Sequence, residues 1–295
     1  MSTTAAIDSI LARACAAVGL AAQEAKPIRL GENAIFRLPD GVVARVSQPG
    51  QQRAAQREVA VSHWLNASGV AAVVPLTDID QPVEIAERSV TFWEELPAHH
   101  HGSPAEVARM LKRLHSLSVP TNVPLCRLDP FVRLSERIDG ATTVVDEDRA
   151  WLRKKLAKLQ DQWVSTIAEL PTCVVHGDAW AGNVVTTDDG RVVLLDLERC
   201  SIGPREWDLV STAVKHVTYG QLDQAQYQQF CDTYGSDVVT WSGFAVLRDI
   251  RELRMTCYVA QQAANEPRFE HEARLRIDCL RGRRGPRPWP WTPAE

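Results

Sequence analysis

The sequence lacks the features that would mark a membrane protein, a secreted chain or a disulfide scaffold. Its 295 residues contain no apolar run approaching the ~20 residues that a membrane span requires. Met1 to Ala6 carry no basic side chain, and Asp8 interrupts the apolar stretch that follows, so no signal-peptide pattern is expected at this end. The seven cysteines, at positions 15, 126, 173, 200, 231, 257 and 279, are odd in number and never stand as Cys-x-x-Cys. That spacing argues against a disulfide framework or a zinc site and points to reduced thiols in a cytoplasm. Neither sign of charge dominates: 33 Lys and Arg face 37 Asp and Glu, for a net charge of -4 and a pI near 6.1. A general nucleic-acid binder is thereby disfavoured, whereas a cationic ligand is permitted. What is present is a chain that is 45% hydrophobic, enough for one large domain or two lobes with a sizeable core.

One stretch organises the rest. Val174-Val175 leads into His176-Gly177-Asp178-Ala179-Trp180-Ala181-Gly182-Asn183, and Val184-Val185 follows. An Asp188-Asp189-Gly190 turn then precedes Val192-Val193-Leu194-Leu195-Asp196. Asp, Asn and Gly are turn residues in their own right, so a hairpin with purely structural polar residues is the plain alternative. The spacing supports more than that. Phosphoryl transfer needs a carboxylate to accept the proton of an attacking hydroxyl, with an amide oxygen and a second carboxylate to hold the magnesium that shields the phosphates. Asp178 fits the base, Asn183 and Asp196 fit the metal ligands, and the step from Asp178 to Asn183 matches the Asp-x4-Asn of kinase catalytic loops.

The segments HGDAWAGN, LLDLE and GPREWDL together resemble the signature of the aminoglycoside phosphotransferase and choline kinase-like family, which shares the protein-kinase fold. The resemblance covers roughly Gly31 to Leu209 and is most specific from His176 to Asp208. It implies an α+β, two-lobed protein-kinase-like fold, with a small N-terminal antiparallel sheet plus helix over 1–97 and a larger, mainly helical catalytic and substrate-binding lobe over 98–295. It also implies a phosphotransferase that uses ATP or GTP and Mg2+ on a small hydroxyl-bearing acceptor: an aminoglycoside-like antibiotic, a sugar or an amino alcohol, cationic or not. By the same resemblance His176 supports the loop, with a general-base role as its alternative. Asp208 buttresses the loop backbone, and Glu198 holds a metal water, faces the substrate or is an exposed loop acid.

Along the chain, Ile7, Ile10, Leu11, Ala14 and Val18 recur at helical spacing and Gly19 is a stop. Strands are expected at 28–30, 34–38 and 42–46, with Asp40-Gly41 as a turn. In a kinase-like lobe the turn Gly31-Glu32-Asn33 lies over the phosphates, which nominates Asn33. It has one glycine, unlike the Gly-rich loop of protein kinases. Arg45 stands where the family has lysine, a planar bidentate fork replacing a point charge; an outward-facing strand arginine is the alternative. The helix expected over 51–67 supplies Glu58 as the partner of Arg45, or as a solvated helix charge. Further strands are expected at 70–76, 83–85 and 90–97, the last giving a hinge where backbone between Glu94 and Leu96 meets the purine.

His99-His100-His101 lacks accompanying carboxylate or thiol at ligand spacing and reads as a solvated connector. Ser103-Pro104-Ala105-Glu106 is a capping box with proline at the first helical position, and an apolar stripe runs from Val107 to Leu117. His115 reads as packed or surface. Prolines at 120, 124 and 130 mark an irregular connection, after which helices are expected at 133–138 and 146–170. Helices are also expected over 211–216, 222–234, 238–263 and 270–281, with Asp249 and Glu252 as acids that could recognise amino groups or merely lie on solvated faces. The basic, Trp- and Pro-rich stretch 281–291 is expected to fold back on its tryptophans rather than bind nucleic acid. A catalytically impaired pseudokinase acting as a nucleotide- or ligand-binding module is the reading from another class. A protein kinase is disfavoured, because no Ala-Pro-Glu element or long activation segment separates Asp196 from Asp208.

Overall fold

A computed structural model describes residues 3–31 and 33–293. Met1 and Ser2 of the expected signal-free start, and Glu32 of the phosphate-side turn, lie outside the described residues. In chain order the elements are α1 (Thr3–Ala17), β1 (Lys26–Leu30), β2 (Ala34–Leu38), β3 (Val42–Val46), α2 (Gln52–Ala67), β4 (Val83–Ile85), β5 (Arg88–Glu94), β6 (His99–His101), α3 (Pro104–His115), α4 (Leu134–Gly140) and α5 (Asp146–Ile167). After them come β7 (Thr172–Val175), β8 (Val184–Thr187), β9 (Val192–Leu194), β10 (Ser201–Pro204), α6 (Glu206–Val217), α7 (Gln224–Tyr234), α8 (Phe244–Ala263) and α9 (Glu270–Leu280). They group into two compact units, one of Met1–Glu106, Leu117–Cys126 and Ala181–Cys200, the other of Val107–Ser116, Arg127–Trp180 and Ser201–Glu295.

The first unit is built on an antiparallel sheet of order β1-β2-β3-β5-β4. Period-two alternation decides which face is dry: Ala34, Phe36 and Leu38 of β2 and Val42, Ala44 and Val46 of β3 are buried, and they pack with Ile10, Leu11, Ala14 and Cys15 of α1. Each fully buried aliphatic side chain contributes ~1.5–3 kcal/mol, so this face anchors the sheet. The same alternation turns Arg45 to the opposite face, across the pairs Ile35↔Arg45 and Arg45↔Thr91. A second antiparallel sheet, β6-β8-β9, closes on a turn in which Gly190 (φ +80°) donates to Thr187 O at 2.8 Å.

Two expectations for this unit change. The 70–76 segment is not a strand but makes bridges at Ala72 and Pro75, because Val73 N bonds Leu194 O while Leu76 N bonds Phe92 O. Its partners switch from one sheet to the other, so no ladder propagates. The three histidines form the edge strand β6 instead of a connector, paired as His99↔Thr187, His100↔Thr186 and His101↔Val185. Every residue of β8 is buried, and β6 covers the backbone on one of its edges while its own side chains stay exposed.

At the start of α3, Ser103 N and Oγ donate to Glu106 Oε2 at 2.7 Å, and Glu106 N donates back to Ser103 Oγ at 3.3 Å. Ser103→Ala is expected to cost about 0.5–2 kcal/mol, read as a lower urea midpoint with an unchanged m-value.

The second unit is mainly helical, with β7 and β10 paired antiparallel from Ser201↔Val175 to Pro204↔Thr172. Strand β10 was not expected from sequence. Gly203 permits it, because a Cβ there would fall 2.7 Å from Leu128 Cβ. The stripe of α3 stops at His115, short of Leu117. The continuous helix expected over 238–263 is broken: Val238–Thr240 is a 3-10 turn capped by the Asp237 carboxylate, and α8 begins only at Phe244. At Gly243 the Trp241 ring sits where a Cβ would be, at 2.3 Å. Helix α6 starts at Glu206, earlier than the expected 211.

The C-terminal stretch folds back on its tryptophans. Trp289 and Trp291 are buried against Cys279, Tyr219 and Met255. Its arginines are tied to acids, Arg281 to Glu147 and Asp148, Arg283 to Asp278, and Arg287 to Glu252 at 2.6 and 2.7 Å. No helix among the described residues is long and apolar enough to cross a membrane.

Candidate active site

In the first unit a single guanidinium gathers the residues that sequence singled out. Glu58 belongs to the buried stripe Ala55, Glu58, Val61, Ser62 and Leu65 of α2, so a carboxylate enters a dry face and needs a cation. Arg45 supplies it, with Nη1 at 2.5 Å from both Glu58 oxygens. Its Nη2 donates to Glu198 Oε2 at 2.5 Å and stands 3.7 Å from Asp196 Oδ1. With the Asn33 amide oriented to present its oxygen, Asn33 accepts from Nη2 at 2.6 Å and from Nε at 3.2 Å. The main chain at Glu198 is held in turn by Arg57 of α2, whose Nη2 donates to Glu198 O at 3.2 Å.

Three carboxylates thus surround one guanidinium. Burial works against the charge on Arg45, but Glu58, then Asp196 and Glu198, outweigh it and raise its pKa. Glu58 is pushed up to about 7, first by burial, against the pull of Arg45, with Asp196 and Glu198 adding repulsion. The cation is firmly held and the carboxylates compete for it. Arg45→Lys is expected to retain the Glu58 pair and lose the bridge to Glu198 and Asn33, because an ammonium cannot span them. The cost is about 1–2 kcal/mol, read by chemical denaturation.

Asn183 and Asp196 lie at one end of the β8–β9 hairpin, where Leu195 N donates to Asn183 O at 2.9 Å and Val184 pairs with Leu194. Asn183 is buried, whereas the Asp196 side chain is 42% exposed. Asp196 takes a left-handed backbone conformation, φ +52° and ψ +64°. Among the described residues no group of three or more His, Cys, Asp or Glu forms a complete protein cage for a metal. Mg2+ requires none, since it keeps waters and uses one or two carboxylates with substrate phosphates. An amide oxygen beside a carboxylate, next to a cluster with more carboxylates than cations, is a donor set of the kind Mg2+ takes. At the end of β5, Glu94 N donates to Val74 O at 2.8 Å and Glu95 N to Gly41 O at 2.7 Å, so these two N–H groups are committed within the protein. Leu96 follows directly and is half-buried.

The second unit carries the loop of Asp178. Asp208, fully enclosed on α6, accepts from His176 N at 2.7 Å, from Gly177 N at 2.9 Å and from His115 Nε2 at 3.1 Å. His115 Nδ1 lies 2.9 Å from the Tyr234 hydroxyl, a pairing that either protonation state of the ring permits because the hydroxyl can donate or accept. Burial alone would raise the Asp208 pKa; the His115 hydrogen bond and charge, joined by His176, outweigh it and hold the group below the usual carboxylate range. His176 is buried, and its Nδ1 accepts from Asp178 N at 3.3 Å, which makes the ring a support for the loop. Gly177 adopts φ +84°, a turn that glycine takes at least cost, and its carbonyl accepts from Trp207 Nε1 at 2.9 Å and Arg251 Nη2 at 3.1 Å.

Asp178 itself is 43% exposed on its side chain, and Arg251 Nη1 donates to its Oδ1 at 3.2 Å. Neither Arg251 nor His115 was singled out for this role in the sequence, since the contacts span 73 and 93 residues. The acids suggested for amino-group recognition are engaged internally. Glu252 is fully buried, accepting from Thr218 and Arg287, and Asp249 accepts from Lys155 and Arg248 at 2.8 Å each. Cys200 and Cys173 are passive: all seven cysteines are unbridged, and burial first, then Asp208 and Glu206, push the Cys173 thiol up to about 12.

A helical unit with a buttressed Asp loop, and a sheet unit with an arginine–glutamate pair, define a kinase-like class of protein. Solved structures agree on that fold. An aminoglycoside phosphotransferase, APH(3'')-Id, from Streptomyces rimosus is similar at 20% identity and TM-score 0.62, over 85% of this chain and 99% of that one. A choline/ethanolamine kinase family protein from Mesorhizobium loti is similar at 17% identity and TM-score 0.62, over 95% and 94%. The amicoumacin kinase hAmiN, solved with AMP-PNP, Ca2+ and Ami, is similar at 13% identity and TM-score 0.65, over 92% and 96%. No curated protein matches the chain in sequence. The model of the phosphotransferase enzyme family, APH, matches residues 24–250, and the chain belongs to that family.

Proposed function

We propose that the protein is a small-molecule kinase that transfers the γ-phosphate of ATP or GTP to a hydroxyl of an aminoglycoside-like antibiotic, a sugar or an amino alcohol. The observation that carries this reading is the bracing of the Asp178 loop: its backbone is fixed by Asp208 while the carboxylate stays half-exposed. Asp178 accepts the proton of the acceptor hydroxyl as its oxygen attacks the γ-phosphorus. Because the transition state is loose, in-line placement and charge neutralisation contribute more than basicity. Asn183 and Asp196 would hold Mg2+, which when bound shields the phosphate charge. Asn33, Arg45 and Glu58 serve the phosphate side of the nucleotide, and Glu94 to Leu96 its base, within a nucleotide lobe of residues 1–97. Residues 98–295 form the catalytic and acceptor lobe. The seven unbridged thiols suit a reducing compartment such as the cytoplasm.

The test is a phosphotransfer screen over aminoglycosides, other antibiotics, amino sugars, sugars and choline-like alcohols, with ADP or GDP release followed in the presence of Mg2+. Product formed by the wild type and lost in Asp178→Ala supports the kinase. Nucleotide binding with no magnesium-dependent turnover, whether onto an acceptor or water, would favour the pseudokinase reading instead.

A further inference from the structure

We propose that Arg251 is a positioning residue for phosphoryl transfer, holding the Asp178 carboxylate in the orientation in which it accepts the hydroxyl proton. The proposal rests on the kinase reading above and goes beyond it, since it concerns how an exposed base is aimed. Arg251 lies within α8 and is buried. Its guanidinium stacks on the Trp207 ring, 4.0 Å from the centroid, and Nη2 donates to Gly177 O at 3.1 Å and Trp207 O at 3.2 Å. Trp207 is itself fixed, with Nε1 on Gly177 O at 2.9 Å and its ring edge-on to Trp163 at 5.8 Å. A planar fork anchored by a stack and two carbonyls has no rotational freedom left, so the direction of Nη1 is set, and it meets Asp178 Oδ1 at 3.2 Å.

This contact does what the loop backbone cannot. Asp208 and His176 fix the main chain at 176–178, but an aspartate side chain 43% exposed retains its own torsions. A fixed donor at Oδ1 makes the two carboxylate oxygens unequal and sets the plane and direction of the group. The acceptor oxygen then bonds to the γ-phosphorus, the bond from that phosphorus to the β–γ bridging oxygen breaks, the nucleoside diphosphate leaves with that oxygen, and the hydroxyl proton passes to the Asp178 carboxylate and on to solvent. Arginine stays protonated throughout, so Arg251 acts only through Asp178.

Magnesium-dependent hydrolysis of ATP, with water as the nucleophile, tests the proposal without a known acceptor. Turnover, affinity for a fluorescent ATP analogue and thermal midpoint are measured for the wild type, Asp178→Ala, Arg251→Gln, Arg251→Lys and Arg251→Ala with added guanidinium chloride. The expected result is turnover lowered about 10- to 100-fold in Arg251→Gln, nucleotide affinity within about two-fold of wild type, partial recovery in Arg251→Lys, and recovery of Arg251→Ala by guanidinium but none of Asp178→Ala. Arg251→Gln or Arg251→Lys turning over like the wild type, or Arg251→Ala unresponsive to guanidinium, overturns the positioning role. Parallel loss of turnover and nucleotide affinity marks a merely structural residue and also overturns it. Turnover that is absent in the wild type with water and with every acceptor of the screen above, or unchanged in Asp178→Ala, sinks the kinase reading itself and the proposal with it.

Discussion

Asp178→Ala is expected to lower turnover about 10²–10⁴-fold, the range that a positioned acid or base contributes, while leaving nucleotide affinity close to that of the wild type. The split follows from where the groups lie. The residues assigned to the nucleotide, Asn33, Arg45 and Glu58, bond one another within the first unit, whereas Asp178 belongs to the second. On the proposed reading, its removal deletes the group that takes the hydroxyl proton and should leave phosphate contacts alone. Folding should also survive, because Asp208, His176 and Trp207 hold the loop through its backbone, which alanine retains. Nucleotide titration beside single-turnover kinetics measures both quantities. A Kd that rose in step with the loss of rate would show that Asp178 supports nucleotide binding and not proton transfer.

Asp208→Ala should act on both stability and activity. The carboxylate is fully enclosed and accepts from two backbone N–H groups and from His115. Truncation leaves those donors buried with nothing to meet, at a cost of about 3–5 kcal/mol, a large share of the ~5–15 kcal/mol that holds a domain folded. Asp208→Asn keeps the shape and one acceptor oxygen, and should fall between the wild type and alanine. The pH dependence has a definite sign. The folded pKa of Asp208 is depressed, so its stabilisation is present above the unfolded value, about 3.9, and is lost as pH falls through the folded value. Urea midpoints of the wild type and Asp208→Asn should therefore converge on acidification. Midpoints that stay apart down to the acid limit would place the effect in packing.

Much of this was legible where the pattern is local. Alternation in 34–46 placed the sheet, while the partnership of Arg45 with Glu58 came from the resemblance to a kinase-like lobe, with an outward-facing arginine and a solvated helix glutamate as the alternatives. The capping box at Ser103 was readable because its two members lie three residues apart. Legibility fails where a role depends on distant partners. Arg251 sits in RDIRELR, a run in which charges of both signs alternate, and nothing local separates the arginine that reaches Asp178 from Arg254, which bonds Pro130 O. His115 lies beside an apolar stripe, and only the return of α6 brings Asp208 to it. Strand β6 was missed for the same reason. Three histidines have no strand signature, and the need for a strand there comes from the buried edge of β8, more than eighty residues later in the chain.

At position 196 the main chain and the side chain ask for different amino acids. The left-handed conformation described for Asp196 would suit glycine best, and a non-glycine residue in it carries a cost of about 1–3 kcal/mol. Aspartate is among the few types that accept such a conformation. A screen for thermal robustness at this position would therefore tend to reward glycine, the one replacement that relieves the backbone and discards the carboxylate in the same step. With Asp196 holding Mg2+ as proposed, engineering for heat tolerance and engineering for turnover would pull this residue in opposite directions.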